Sequence, residues 1–353
     1  MIKSAIFEPH TKSMSQLKNI SLFIFVISLH ITAFSQYTET INSNRPGESQ
    51  GAFSVGTGVI QLESGLDYGN DSHRLLETDT DIIGFNAALR YGLLVEQLEI
   101  NANIRYQNNQ TTFTTGSASA DPLNGISNLQ LGAKYLVYDP YKYATEEVNL
   151  LSYHANHRFK WRTLLPAVSA YASAVFDFSN PFRQNSAALS NITLENEITP
   201  NIALITQNNW GPWVWVNNFI ADRITSEFPS YNWITTMTHT FGPQISGFIE
   251  FQSINGDLYS DSIGRAGAAY LIGDDFQLDI SGLVNLKDTP SRWNVGLGVS
   301  YRLDRHTKDE KLDIIDDGKG GKRKKKKGEK EGKGKEKESK RRDAVDSGVD
   351  GGK

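Results

Sequence analysis

Between Val59 and Leu303 apolar and polar residues alternate with a period of two, in runs longer than ordinary globular strands. In LEINANIRYQ, Leu98, Ile100, Ala102, Ile104 and Tyr106 share one face, and Glu99, Asn101, Asn103, Arg105 and Gln107 share the other. WNVGLGVSYRL sets Trp293, Val295, Leu297, Val299, Tyr301 and Leu303 against Asn294, Gly296, Gly298, Ser300 and Arg302. The pattern predicts twelve strands, over 58–69, 80–92, 96–107, 127–139, 165–178, 197–209, 212–224, 231–241, 243–254, 262–272, 275–287 and 292–303. Globular strands cluster near about 5 to 6 residues, whereas a strand crossing a bilayer at a tilt of about 45° needs about 9 to 11. The predicted fold class is therefore all-β: a transmembrane antiparallel β-barrel of about twelve strands, apolar face to lipid and polar face to the lumen.

The links between strands support the same reading. From the sixth strand onward they are tight at Trp210-Gly211, Phe241-Gly242-Pro243 and Gly273-Asp274, and longer over 223–230, 253–261 and 287–291. Outer-membrane barrels alternate short periplasmic turns with longer external loops, and an even strand count returns both termini to the periplasm. Tyr68, Tyr91, Tyr106, Tyr138, Trp210, Trp213, Phe241, Tyr270, Trp293 and Tyr301 fall near predicted strand ends, where amphipathic rings meet lipid headgroups. The alternative, a secreted β-sandwich, would bury the apolar face and turn the polar one outward. Two stretches resist the scheme. Residues 140–164 are too long for a periplasmic turn, and WVWVNNFIADR carries bulky or polar groups on both faces.

The two ends of the chain differ from the body. Lys12 and Lys18 precede an apolar run, Ile20 to Phe34, which is followed by Ser35. That is the layout of a secretory signal peptide over 1–35, and the run falls short of the roughly 20 apolar residues of a spanning helix. Residues 36–57 are then a periplasmic lead-in, 58–303 the barrel and 304–353 a tail. Residues 37–303 carry 15 Lys/Arg against 26 Asp/Glu, and residues 304–353 carry 18 against 13. The tail, with its run GKGGKRKKKKGEKEGKGKEKESKRRD, lacks periodicity and apolar content, so a disordered basic C-terminal tail is expected. Its expected contacts are the cell wall or anionic lipid, and export excludes nucleic acid.

Catalytic signals are weak. The chain has no cysteine, which removes disulfides and thiolate metal sites. His154 and His157 are three apart but lack the glutamate and third ligand of a zinc site. His239 lies among hydroxyls in TTMTHTF, and no nucleophile elbow occurs anywhere. Gly56-Thr57-Gly58 is a turn rather than a phosphate loop. No cofactor, no metal site and no enzyme activity are expected. What remains is the polar face, whose Glu63, Glu99, Arg105, Lys134, Glu250 and Asp279 are expected to point into the lumen, either tuning permeation or pairing to fill the interior. Arg45, in the Arg-Pro-Gly turn at 45–47, is expected to fold back under the barrel and pair with a lumenal carboxylate such as Glu63 or Glu99. Pro46 and Gly47 read as turn formers, Gly47 for a positive φ.

NSNRPGESQGAFSVGTGVIQLESGLDY resembles the opening of the family labelled putative MetA-pathway of phenol degradation, frequent among Bacteroidetes "transporter" proteins. The resemblance is carried by Ser43, Arg45, Pro46, Gly56, Gly58, Gln61, Leu62 and Glu63, and continues in SNLQLGAKYLV and WNVGLGVSYRL. It covers roughly residues 40 to 303 and implies an outer-membrane barrel related to channels for hydrophobic compounds, with no catalytic or binding residues attached. The expected function is a channel or uptake protein for small molecules, hydrophobic or aromatic ones included. The alternatives are a structural barrel whose tail contacts the cell wall, and a barrel hydrolase.

Overall fold

A computed structural model of the chain describes residues 40–115, 119–142, 164–177, 182, 198–226, 228–257 and 259–304. The expected signal peptide, His154 and His157, most of the 140–164 link and nearly all of the basic tail lie outside these residues.

Twelve strands form: β1 (Ile60–His73), β2 (Thr78–Gly92), β3 (Leu98–Phe113), β4 (Leu123–Tyr138), β5 (Ala167–Phe176), β6 (Ile198–Trp210), β7 (Trp213–Asp222), β8 (Ser230–Thr240), β9 (Ile245–Gly256), β10 (Asp261–Ile272), β11 (Phe276–Asn285) and β12 (Ser291–Leu303). Each pairs antiparallel with its neighbours in sequence, and β1 pairs with β12 to close the barrel. Closure leaves no unpaired strand edge, the requirement for backbone in hydrocarbon. The twelve strands match the predicted ones, with the main differences at the loop ends of β1, β3 and β4. There the strands run on through residues such as Thr111 and Thr112. Beyond the lipid both faces are polar, so alternation no longer marks where the ladder continues.

Burial is inverted relative to a water-soluble protein. Along β1, Gln61 and Glu63 are buried while Leu62 is exposed, and Asp67 is 8% exposed against 62% for Leu66. The same alternation turns Ile83, Phe85 and Leu89 of β2 and Val295, Leu297 and Val299 of β12 outward. An apolar outer band over a polar interior is the pattern of a membrane barrel and the reverse of a sandwich. Exposed rings flank the band: Tyr91, Phe241, Tyr270 and Tyr301 toward the end where β1 begins and β12 ends, and Tyr68, Tyr231, Trp233 and Trp293 toward the other. Tyr68 and Trp293 meet edge to face across the closing seam, with ring centroids 5.7 Å apart.

WVWVNNFIADR resolves in the same way. Trp213, Trp215 and Phe219 of β7 face outward, while Val216 and Asn218 are buried on the inner side. The two faces looked alike because the inner one here is partly apolar. Ala167, Tyr171, Ala203, Ile205 and Val216 pack there with Ala52, a residue from outside the wall. His239 sits in the outer ring layer, its imidazole 4.3 Å from the Trp213 ring and 4.6 Å from Phe241.

Leu297 lies mid-strand and pairs with Leu66 and Ile280, all three exposed. Leu297→Arg is expected to destabilise the barrel by about 2–4 kcal/mol, the cost of Arg at a bilayer midplane. Urea titration of the protein folded into phosphatidylcholine bilayers measures this, and a loss under 0.5 kcal/mol, roughly that of an ordinary surface change, would contradict the assigned lipid face.

Candidate functional site in the barrel lumen

Residues 41–55, part of the expected lead-in over 36–57, lie inside the barrel. Ile41 enters beside the β10–β11 turn, its N–H donating to the Asp274 carbonyl at 2.8 Å. The chain then crosses the lumen, and Ser49, Ala52 and Val55 are buried against the inner wall. At its end it turns through Gly56 and Gly58, both at positive φ, into β1. Gly92 makes room for this exit, since a Cβ there would lie 1.7 Å from the Gly56 carbonyl oxygen.

This segment forms no strand ladder, so its backbone groups must find other partners once water is displaced. The inward side chains of the wall supply them. Asn44 N–H donates to Glu63 at 3.2 Å, and Glu48 and Ser49 N–H both donate to Glu250. Ala52 N–H donates to Gln207 at 2.8 Å and Val55 N–H to Glu99 at 3.1 Å. Asn218 behaves as a one-residue sheet edge: its Oδ1 accepts from Gln50 N–H at 2.6 Å and its Nδ2 donates to the Gln50 carbonyl at 2.9 Å. Lys134 Nζ donates to the carbonyls of Gly51 and Phe53, Ser169 to that of Ala52, and Gln277 to that of Arg45.

The lumenal charges are arranged in cancelling sets. Arg90 Nε meets Glu99 at 2.9 Å, Arg90 Nη1 meets Glu63 at 3.0 Å, and Lys134 lies 3.3 Å from Glu99. Two cations and two carboxylates thus share one buried cluster without net charge. Arg265 pairs with Glu250 at 2.9 Å. Arg45 pairs with a lumenal carboxylate, Asp279 in place of the examples Glu63 and Glu99: Nη2 and Nε donate to its two oxygens at 3.0 and 3.2 Å, and Nη1 donates to Asn86 at 2.6 Å. Such a planar two-point fork is the strong form of an Arg–carboxylate contact. A slot in the wall admits the guanidinium. Gly65 and Gly298 face each other across the β1–β12 seam, and a Cβ on either would come within 2.4 Å of Arg45 nitrogens. Gly47 likewise serves close approach and not a positive φ, because a Cβ there would lie 2.7 Å from Glu250.

All six lumenal candidates point inward, and five of them, Glu63, Glu99, Lys134, Glu250 and Asp279, hold residues 44–55. Arg105 stands apart, paired with Asp67 at 2.7 Å above that segment. Arg90, Gln207 and Asn218 were not singled out from the sequence. Each occupies an inward register position, but nothing local marks an amide or a guanidinium there as the partner of a segment tens to hundreds of residues away.

Above residues 44–50 the lumen widens into a cavity of about 1080 Å³. It extends along the wall to Asp71, Thr78 and Arg292 near the strand ends opposite the termini. Its lining includes Asn86, Asn101, Asn103, Gln107, Asn109, Asn128 and Gln130. The barrel is therefore polar and divided: a segment bound to the wall on the side of the termini, and a vestibule on the other.

Residues 43–303 match the model of a family described as putative MetA-pathway of phenol degradation. No curated protein matches the chain by sequence. Among solved structures the chain is similar to an outer membrane channel from Pseudomonas putida F1, with 11% identity over 74% of this chain and 100% of that one and a TM-score of 0.47. It is also similar to the NanC porin, at 9% identity over 69% of this chain and 100% of that one, TM-score 0.43. A third similar structure is the translocator domain of the autotransporter NalP from Neisseria meningitidis, at 7% identity over 83% and 97%, TM-score 0.40.

Two expected outcomes test the lumenal assignments. Glu99→Gln leaves Arg90 and Lys134 sharing only Glu63, and is expected to lower stability by about 3–5 kcal/mol, as for a buried pair that loses one partner; the denaturant midpoint reads this. Gly298→Ala and Arg45→Ala are expected to unseat the same segment by opposite means, one filling the slot and one emptying it. Both should speed amide exchange at Gln50 and Ala52 while exchange in mid-strand β9 stays slow. Unchanged exchange at Gln50 in both variants would contradict the latch.

Proposed function

We propose that this chain, which belongs to the putative MetA-pathway of phenol degradation family, is a solute channel of the bacterial outer membrane whose lumen is closed at rest by its own residues 41–55. The observation that carries this reading is the division of the lumen into a bound segment and an open polar vestibule of about 1080 Å³. A barrel that served only as a scaffold has no use for a vestibule lined with amides and ion pairs. A hydrolase reading lacks support as well: His239, the one histidine weighed as catalytic within the described strands, packs between outward rings.

Closed at rest does not mean permanently closed. The segment is held by side-chain contacts rather than by a strand ladder, so it can leave without opening the wall. Its charges are matched by wall charges, which makes the seated state specific and gives it a discrete release step. The polar lining favours water-soluble solutes over the hydrophobic or aromatic compounds suggested by the family resemblance. The tightest links, at 211–212 and 273–275, lie at the end where β1 begins and β12 ends, although the long 139–166 link lies there too. That end is periplasmic by the usual barrel orientation, so the vestibule faces outward and the bound segment blocks exit to the periplasm.

Planar-bilayer recording tests the reading. The wild-type protein is expected to show rare, brief openings. Arg45→Ala, which removes a coupling of the usual allosteric size, should raise the open population by about 5- to 150-fold. A variant with free exchange at Gln50 that still passes no current would overturn the channel function.

A further inference from the structure

Polar side chains inside the barrel fall into two groups. Those around residues 44–55 mostly hydrogen-bond that segment, as Glu250 and Asn218 do, with Gln50 and Gln61 Oε1 left buried without a partner. Those on the β3–β4 wall of the vestibule do not. Asn103 sits opposite Gln130 and touches it only at 3.5 Å, while Gln130 Nε2 is committed to Ser173 Oγ at 2.6 Å. The side-chain amides of Gln107 and Asn128 have no hydrogen bond among the described residues, and Asn109 Oδ1 is buried without a partner.

These amides form an ordered array. Asn103, Gln107 and Asn109 recur at inward positions of β3, and Gln130 and Asn128 answer Asn103 and Arg105 from β4. Small neighbours leave space beside them: Ala88 of β2 is opposite Asn103, and Gly125 of β4 is opposite Gln107. The nearby cations, by contrast, are already committed, Arg105 to Asp67, Arg265 to Glu250 and Arg292 to Asp71. A ligand entering here meets both unpaired donors and unpaired acceptors, with little unbalanced charge. A carboxylamide both donates and accepts, and so does a hydroxyl group. An ionic solute would leave its charge unmatched, and an aromatic hydrocarbon would leave the amides desolvated and unpaired.

We propose that the β3–β4 wall of the vestibule is a binding site for neutral solutes carrying several hydroxyl groups, a sugar or a short oligosaccharide. The site rests on the reading of the lumen as a solute path and gives that path a substrate class. Asn103, Gln107 and Asn128 are its specificity-determining residues, hydrogen-bonding successive hydroxyls along the strand direction.

Calorimetric titration of the full-length protein in detergent with maltotriose tests the site, with trigalacturonate and phenol as the charged and the aromatic comparators. Maltotriose is expected to bind more tightly than either. Asn128→Ala and Gln107→Ala remove amides that hold nothing in the protein, so both variants should keep the heat-modifiable gel migration of a folded barrel. Each should weaken maltotriose binding about threefold to tenfold, the usual worth of one hydrogen bond. Absence of maltotriose heat, equal or tighter binding of trigalacturonate or phenol, or unchanged affinity in both folded variants would overturn the proposal. Binding is read here without current. A protein that binds maltotriose but never conducts would overturn only the channel reading, and one that conducts without binding it would overturn only this site.

Discussion

The interior of this barrel is organised by the backbone of residues 41–55. A peptide segment packed against a wall, with water displaced and no neighbouring strand, has N–H and C=O groups that cost free energy if left unpaired. The wall cannot offer its own backbone, because every strand is already paired on both sides to close the cylinder. Side chains must therefore do it. Carboxylates and amide oxygens take the N–H groups, as Glu63, Glu99, Glu250 and Gln207 do, while Lys134 and Ser169 donate to carbonyls.

Charge neutrality follows from that requirement. Acceptors strong enough to bind two amides at once, such as Glu250, are themselves anions and would be costly inside without a cation. Arg265 answers Glu250, and Arg90 with Lys134 answers Glu63 and Glu99. Arg45 reverses the arrangement, since the segment brings the cation and the wall supplies Asp279. The glycines complete the fit. At Gly65 and Gly298 the wall loses its side chains where the Arg45 guanidinium lies, so one pair of small residues makes both a thin place in the wall and a socket.

Above this layer the polar wall lines the vestibule, and its chemistry changes accordingly. Ion pairs there link nearby strands, Arg292 to Asp71 across the β1–β12 seam and Arg105 to Asp67 from β3 over β2 to β1, and amides on β3 and β4 retain free valence. One lumen thus holds a half engaged with a segment, suited to keeping it in place, and a half that carries unpaired amides, suited to meeting a solute.

The sequence by itself determined the barrel. Alternation is a local property of each strand, and a strand that must present an apolar face to lipid along its whole length displays it to any reader, so twelve strands, their order and the inward direction of Glu63, Glu99, Arg105, Lys134, Glu250 and Asp279 were all legible. Where one face lacked contrast, as along β7 or in the polar ends of β1, β3 and β4, legibility fell for the same reason. The tertiary structure alone decided what the inward residues do. That Arg45 reaches Asp279 rather than Glu63, that Asn218 pairs with Gln50, and that Gly65 and Gly298 are a socket depend on contacts between positions up to hundreds of residues apart. Those contacts arise when closure of the cylinder brings all twelve inner faces around one short segment, a convergence that no local pattern in the chain encodes.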